Sequence, residues 1–189
     1  TSLVDPLIEV LAKYVLNAEK LHADDTPVPV LEPGRGSTKT GRLWTYVRDD
    51  RPAGSQAPPA VWFQYSPDRK GERPRTHLQS FHGILQADGY AGFDQLYEEG
   101  RIVEAACWAH VRRKFYDIHV ANNSPIATEA MNRIGALYAI EAEIRGKLPE
   151  QRKAVRQARA GPLLDELQAW LQTMLATVSA KSELALAIR

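Results

Sequence analysis

A mixed α/β sheet followed by an all-helical region is the fold class predicted by this 189-residue sequence. Three observations predict it. Between residues 21 and 65, three strand-like segments follow one another with only turns and loops between them. Between residues 83 and 106, two more strand-like segments flank a short helical one. From Ser124 onward the apolar residues recur at helical spacing alone.

Taken in order, Asp5-Pro6 reads as a helix N-cap followed by proline at the first helical position. Leu7, Ile8, Leu11, Tyr14 and Val15 then repeat at helical spacing, so the helix is expected over about residues 6–19. Leu21 to Leu31 alternates and carries Thr26, Val28 and Val30, which suits a strand despite Pro27 and Pro29. Pro33-Gly34-Arg35-Gly36 is a turn, Leu43 to Val47 a strand, Pro52 to Pro59 a loop and Val61 to Tyr65 a third strand. Short connections make these three an antiparallel meander.

Arg75 to His82 reads as a short helix, and Gly83 to Asp88 as a strand ending at Gly89. Phe93 to Glu99 is a brief helix closed by Gly100, and Ile102 to Ala106 a strand. Strand, helix, strand at this length implies a parallel crossover of right-handed sense. Beyond Ser124-Pro125, Met131, Ile134, Leu137, Tyr138 and Ile144 follow one helical period. Leu163, Leu164, Leu167, Trp170, Leu171, Met174 and Val178 follow another, in a helix expected to open at Gly161-Pro162. The organisation predicted is a leading helix (1–20), an α/β core (21–120) and a helical subdomain (121–189).

Composition narrows the function classes. Hydrophobic residues make up 44% of the chain and charged residues 25%, which excludes a disordered or low-complexity chain. Lys and Arg total 24 against 23 Asp and Glu, so a nucleic-acid surface must come from local clustering rather than bulk charge. The single cysteine, Cys107, rules out an intramolecular disulfide and a secreted disulfide scaffold, and a reducing cytosolic location is expected. No apolar run approaches the ~20 residues that span a bilayer, so no membrane partner is expected. The chain starts on Thr rather than Met and ends on Leu184 to Arg189 without a stop signal, so both ends read as cut from something longer.

Two tetrapeptides match, Leu21-His22-Ala23-Asp24 and Leu85-Gln86-Ala87-Asp88. Each places a carboxylate at or near the C-terminal end of a predicted strand, where α/β sheets form their ligand sites. If those strands pair in parallel, Asp24 and Asp88 sit side by side. Adjacent carboxylates repel unless a proton or cation intervenes, and a hard ion such as Mg²⁺ or Mn²⁺ is the natural oxygen-bound partner. From pattern alone the commoner reading is that both are strand-end caps or turn formers. Asp25 neighbours Asp24 but, by strand alternation, points to the other face.

Cys107-Trp108-Ala109-His110 offers two zinc ligands where four are needed, and no second pair has suitable spacing. A cysteine nucleophile with a histidine base is the other functional reading; a buried cysteine after an apolar strand is the plain one. Arg112-Arg113-Lys114 follows directly. A second basic stretch runs from Arg35 through Lys39 and Arg42 to Arg48, interleaved with Trp44 and Tyr46. Such mixtures suit phosphate and base contacts, and equally a solvated hairpin surface.

Four ordered blocks carry a family resemblance: Leu21 to Val28, Thr38 to Trp44, Leu85 to Tyr90, and Cys107 to Phe115. Together they resemble the central part of the transposases of the insertion sequence 66 family, over nearly the whole chain. The resemblance implies a ribonuclease H-like sheet with a helical insertion, and an Asp-Asp-Glu triad in which Asp24 and Asp88 are the first two acids. It implies two Mg²⁺ (or Mn²⁺) ions in the intact site, Asp24 bridging both and Asp88 binding one. It implies double-stranded DNA as partner, with Lys39, Arg42, Arg112, Arg113 and Lys114 as candidate contacts. A homo-oligomeric transposition complex and a bacterial cytoplasmic, nucleoid-associated location follow. Cys107 and His110 match a C-x-x-H motif of unassigned role. The third acid, expected in an Asp-Asn-Asn-x-x-Glu-Arg type segment, has no counterpart here; Glu129, Glu141, Glu143, Glu166 and Glu183 match nothing. This chain alone is therefore expected to be inactive. The alternatives are a non-enzymatic remnant that binds DNA or the full-length transposase, and a ribonuclease H-like nuclease or resolvase, disfavoured by the long helical region.

Overall fold

Alternation along the first strand decides which way the sheet faces. The computed structural model describes residues 3–34 and 36–189. In β1 (Lys20–Val30), Leu21 and Ala23 are buried while Asp24 is exposed, as a strand with one face on a core requires. β1 pairs antiparallel with β2 (Lys39–Arg48), and β2 antiparallel with β3 (Ala60–Ser66). On its other edge β1 pairs in parallel with β4 (Gly83–Ala87), which pairs in parallel with β5 (Ile102–Ala106). The five-stranded order is β3-β2-β1-β4-β5, so the meander and the parallel pair join in one mixed sheet.

Pro27 and Pro29 are accommodated because β4 accompanies β1 only over Lys20 to His22. Two prolines two residues apart present the same backbone edge, and from Ala23 onward β4 makes no demand on that edge. Gly83 sets the start of β4. Its φ is +141°, and a Cβ there would lie 2.3 Å from the Glu19 carbonyl oxygen. Only glycine allows this approach, after which the Ile84 N–H donates to Glu19 O at 2.8 Å.

The core face of the sheet is aromatic. Trp44 and Tyr46, at alternate positions of β2, are fully buried, and burial stabilises by on the order of 3 kcal/mol for each such ring. His77 stands edge-on to Trp44, Tyr46 and Trp62, and its Nδ1 shares a hydrogen bond with the Tyr46 hydroxyl at 2.9 Å. Burial, with Arg73 nearby, lowers the His77 pKa to about 4.

Helix boundaries depart from the sequence expectation in identifiable ways. α1 (Asp5–Leu16) is capped by Val4, one residue before the expected Asp5, which instead places its acid in the first turn. It stops before residue 19 because Lys20 already belongs to β1. α2 (Glu72–His77) lies earlier than the Arg75–His82 expected; Leu78 and Phe81 are buried in the turn that follows it. α3 (Asp94–Glu98) ends before Gly100, which adopts φ +73°.

The chain divides into two compact units, one through Cys107 and one from Trp108 to Arg189. This division groups α4 (Trp108–Asn122) with the helices that follow, whereas the sequence reading drew its division after residue 120. α4 packs on α5 (Pro125–Glu143) around Phe115, Ile118, Ala127 and Ile134. Ser124 caps α5, its hydroxyl accepting from Ala127 N–H at 3.3 Å. α6 (Pro149–Val155) runs through a π-helical segment, Arg156–Ala160, into α7 (Gly161–Thr177), and α8 (Glu183–Ile188) follows. Thus Gly161-Pro162 does not open a new helix. Proline lacks the N–H and its ring collides with the preceding turn, which the widened π turn relieves, Gly161 N–H donating back to Arg156 O. The basic run from Gln151 to Ala160 finds its acids on α5: Arg156 meets Glu141 at 2.6 Å and Arg159 meets Glu143 at 2.8 Å. Among the described residues no helix is long and apolar enough to cross a membrane.

Candidate functional site

The first two residues of the matching tetrapeptides pair in register on neighbouring parallel strands. Leu21 is opposite Leu85 and His22 opposite Gln86. Continuing that register by two residues brings Asp24 level with Asp88, the first residue past β4. The pairing ends at His22 and Gln86, so the register sets the two aspartates at a common level without fixing a common face: the Asp88 carboxylate meets Arg69, which also meets Asp25 on the face opposite Asp24.

Their local environments differ. Asp24 is exposed, and its Oδ1 accepts from the Asp25 N–H at 2.8 Å. Asp88 is partly buried; Oδ1 accepts from Tyr90 N–H at 3.3 Å and Oδ2 from Arg69 Nη2 at 3.1 Å. Asp25, on the core side of β1, is the buried acid, with 1% of its side chain exposed. It meets Arg42 Nη1 at 3.0 Å and Arg69 at 2.7 Å. Two guanidinium groups compensate the burial of that carboxylate.

Arg69 therefore spans Asp25 and Asp88. Burial opposes its charge, but the hydrogen bond and charge of Asp25, then those of Asp88, outweigh this and raise its pKa. Its guanidinium carbon lies 3.9 Å from the Tyr90 ring centroid, and the Tyr90 hydroxyl donates to the Arg69 carbonyl oxygen. The Asp88-Gly89-Tyr90 turn and the Arg69 turn thus close on each other. Gly92 leaves room for this, since a Cβ there would meet the Tyr90 ring at 2.1 Å.

Sequence reasoning did not find Arg69 or the role of Asp25. Alternation already put Asp25 on the buried face, and a buried carboxylate requires a cationic partner; that signal was available. Which cation supplied it was not, because Arg69 sits in an irregular turn after β3.

Of the other candidates, Lys39 pairs with Glu32 at 3.6 Å, Arg42 with Asp25, and Arg48 with Asp50 at 3.4 Å while stacking on Tyr14. The hairpin cations are thus engaged within the fold; Arg35 of the same stretch lies outside the described residues. Arg112, Arg113 and Lys114 are exposed on α4. Cys107 is a half-buried free thiol, and His110 Nδ1 is buried without a hydrogen-bond partner. Among the described residues no three His, Cys, Asp or Glu side chains group as a metal site.

Comparison with known proteins adds a family and three relatives. The family described as Transposase IS66 family matches residues 1–189. Similar curated proteins of Sinorhizobium fredii (strain NBRC 101917 / NGR234) include Uncharacterized protein y4hP, 41% identical over 97% of this chain and 36% of its own length. Uncharacterized protein y4qI is 38% identical over 96% of this chain and 36% of its own, and Uncharacterized protein y4jD 37% identical over 97% and 37%. The chain thus spans about a third of the length of these relatives. No solved structure matches.

Proposed function

The chain belongs to the transposase IS66 family, and from that premise we propose that Asp24 and Asp88 are two of the carboxylates with which the intact protein cuts and joins DNA at the ends of a mobile element. The observation that carries the reading is the parallel register that sets Leu21 and His22 of β1 opposite Leu85 and Gln86 of β4, two residues before the aspartates. The strand order β3-β2-β1-β4-β5, antiparallel on one side of β1 and parallel on the other, supports the ribonuclease H-like sheet that the family implies.

The donor chemistry fits a hard divalent cation. Asp24 presents an exposed carboxylate and Asp88 a partly exposed one, both oxygen donors, and Mg²⁺ or Mn²⁺ keeps several waters beside one or two carboxylates. When bound, a pair of such ions offsets phosphate charge and lowers the pKa of the attacking water or hydroxyl. The chain's own residues do the positioning. Asp25 anchors Arg69, and Arg69 together with the Tyr90 N–H fixes the orientation of Asp88. The Asp24 carboxylate is turned by its bond to the Asp25 N–H. Asp25, buried between two guanidinium groups, is a positioning residue and not a ligand.

The partner is double-stranded DNA, element end and target, handled by a homo-oligomer at the nucleoid in the bacterial cytoplasm. The Asp-Asn-Asn-x-x-Glu-Arg type segment that carries the third acid of the family has no counterpart in these residues, which makes this chain by itself a negligible nuclease. The same observation favours a second reading, a non-cleaving DNA-binding piece.

Cleavage of an element-end duplex by the intact protein in Mg²⁺ or Mn²⁺ tests the proposal. Asp24→Asn and Asp88→Asn should each lower the rate by about a hundredfold or more, consistent with loss of electrostatic stabilisation at a reacting phosphate. Undiminished cleavage by either variant overturns it.

A further inference from the structure

The exposed cations of α4 differ from those of the β2 hairpin in having no partner among the described residues. Among the described residues, Arg112, Arg113 and Lys114 make no ion pair or side-chain hydrogen bond, whereas Lys39, Arg42 and Arg48 are all paired. Leaving two neighbouring guanidinium groups unpaired keeps their repulsion and their hydration uncompensated until an anion arrives.

Helical spacing gathers them. Trp108, Val111, Phe115 and Ile118 form the stripe of α4 that packs inward. Ala109, Arg112, Arg113, Tyr116 and Asp117 form the opposite stripe, and with Tyr138 of α5 they line a groove of about 500 Å³. Ala109 leaves its floor low. Tyr116 is half exposed and Tyr138 partly so. Arginines beside tyrosines supply the side chains that contact phosphate oxygens and sugars, with Ala109 allowing close approach. Asp117 is the one acid among the lining residues and sets the opposite sign at one end.

We propose that this α4–α5 groove is a docking surface for the phosphate backbone of double-stranded DNA, with Arg112 and Arg113 as the phosphate-contacting pair. The inference rests on the transposase reading for the identity of the anion and on the unpaired cations for its location. DNA is favoured over an acidic peptide because a duplex carries a charge every ~1.7 Å along its axis, which suits an adjacent Arg pair that reads no sequence. The contact is with backbone, so it positions the duplex and does not select a base sequence.

The test is fluorescence-anisotropy titration of a labelled 30-bp duplex with the purified chain in EDTA, across a series of salt concentrations. R112Q/R113Q should weaken binding at least about tenfold at low salt and reduce the log–log salt slope by about two, one per lost phosphate contact. D117N should act in the opposite direction and tighten binding. Lys39→Gln, which alters a paired cation of the hairpin, should change little. Circular dichroism of each variant confirms folding, and all these side chains except Lys39 lie on the outer stripe of α4. Unchanged affinity and slope in R112Q/R113Q, no binding by the parent chain, or tighter binding to polyglutamate than to duplex each overturns the proposal. Because EDTA removes divalent ions, none of these results bears on the Asp24–Asp88 reading, which stands or falls on cation binding.

Discussion

Asp24 and Asp25 are neighbours in sequence and opposites in environment. The first is exposed and accepts a hydrogen bond from the Asp25 N–H; the second is buried between Arg42 and Arg69. Truncating a partner of a buried ion pair leaves uncompensated charge, here on two arginines. Asp25→Ala should therefore destabilise the chain by about 3–5 kcal/mol. Asp24→Ala, on the exposed side, should change stability by no more than about 0.5 kcal/mol. Urea-unfolding midpoints of the two variants check this, and equal midpoints would contradict the assignment of Asp25 to positioning. At this scale the sequence was half legible. Alternation separated the two aspartates correctly, since it depends only on a period of two. The Arg69 bridge was invisible, because a side chain in an irregular turn meets β1 and the Asp88 turn only through tertiary closure.

At the scale of elements, strands were more legible than helices. The alternating and β-branched content of residues 20–30, 39–48 and 60–66 marks strands whatever surrounds them. Helix ends were less so: Val4 rather than Asp5 caps α1, and the helix around residue 75 begins and ends earlier than its composition suggests. The Gly161-Pro162 pair, a strong opening signal in isolation, lies inside a continuous helical run because a π turn absorbs the proline. Register is the element-level property on which the site depends, and Gly83 controls it. Gly83→Ala places a side chain against the Glu19 carbonyl at a backbone angle that L-residues rarely adopt. The expected cost is about 1–3 kcal/mol. Hydrogen exchange should show lost protection at Ile84 N–H, which bonds Glu19 O in the parent. Retained protection at that amide would contradict the role given to Gly83.

For the whole molecule, the sequence announced an α/β part and a helical part but not the point where compact units divide, because α4 is amphipathic and its apolar stripe could serve either neighbour. The units carry different chemistry. The first holds acids and arginines together at the middle of β1 and just past the end of β4; the second presents arginines on α4 that are unpaired among the described residues. The proposed DNA chemistry calls for both a place for hard cations and a surface for phosphate, and the two units each offer a candidate. The most direct measurement of the central claim is Mn²⁺ binding to the purified chain, followed by isothermal calorimetry, for the parent and for Asp24→Asn, Asp88→Asn and D117N. Binding is expected for the parent and for D117N, weakened at least about tenfold by either of the other two changes, as when a metal loses a carboxylate that orients it. Equal Mn²⁺ affinity in all four proteins would contradict that claim.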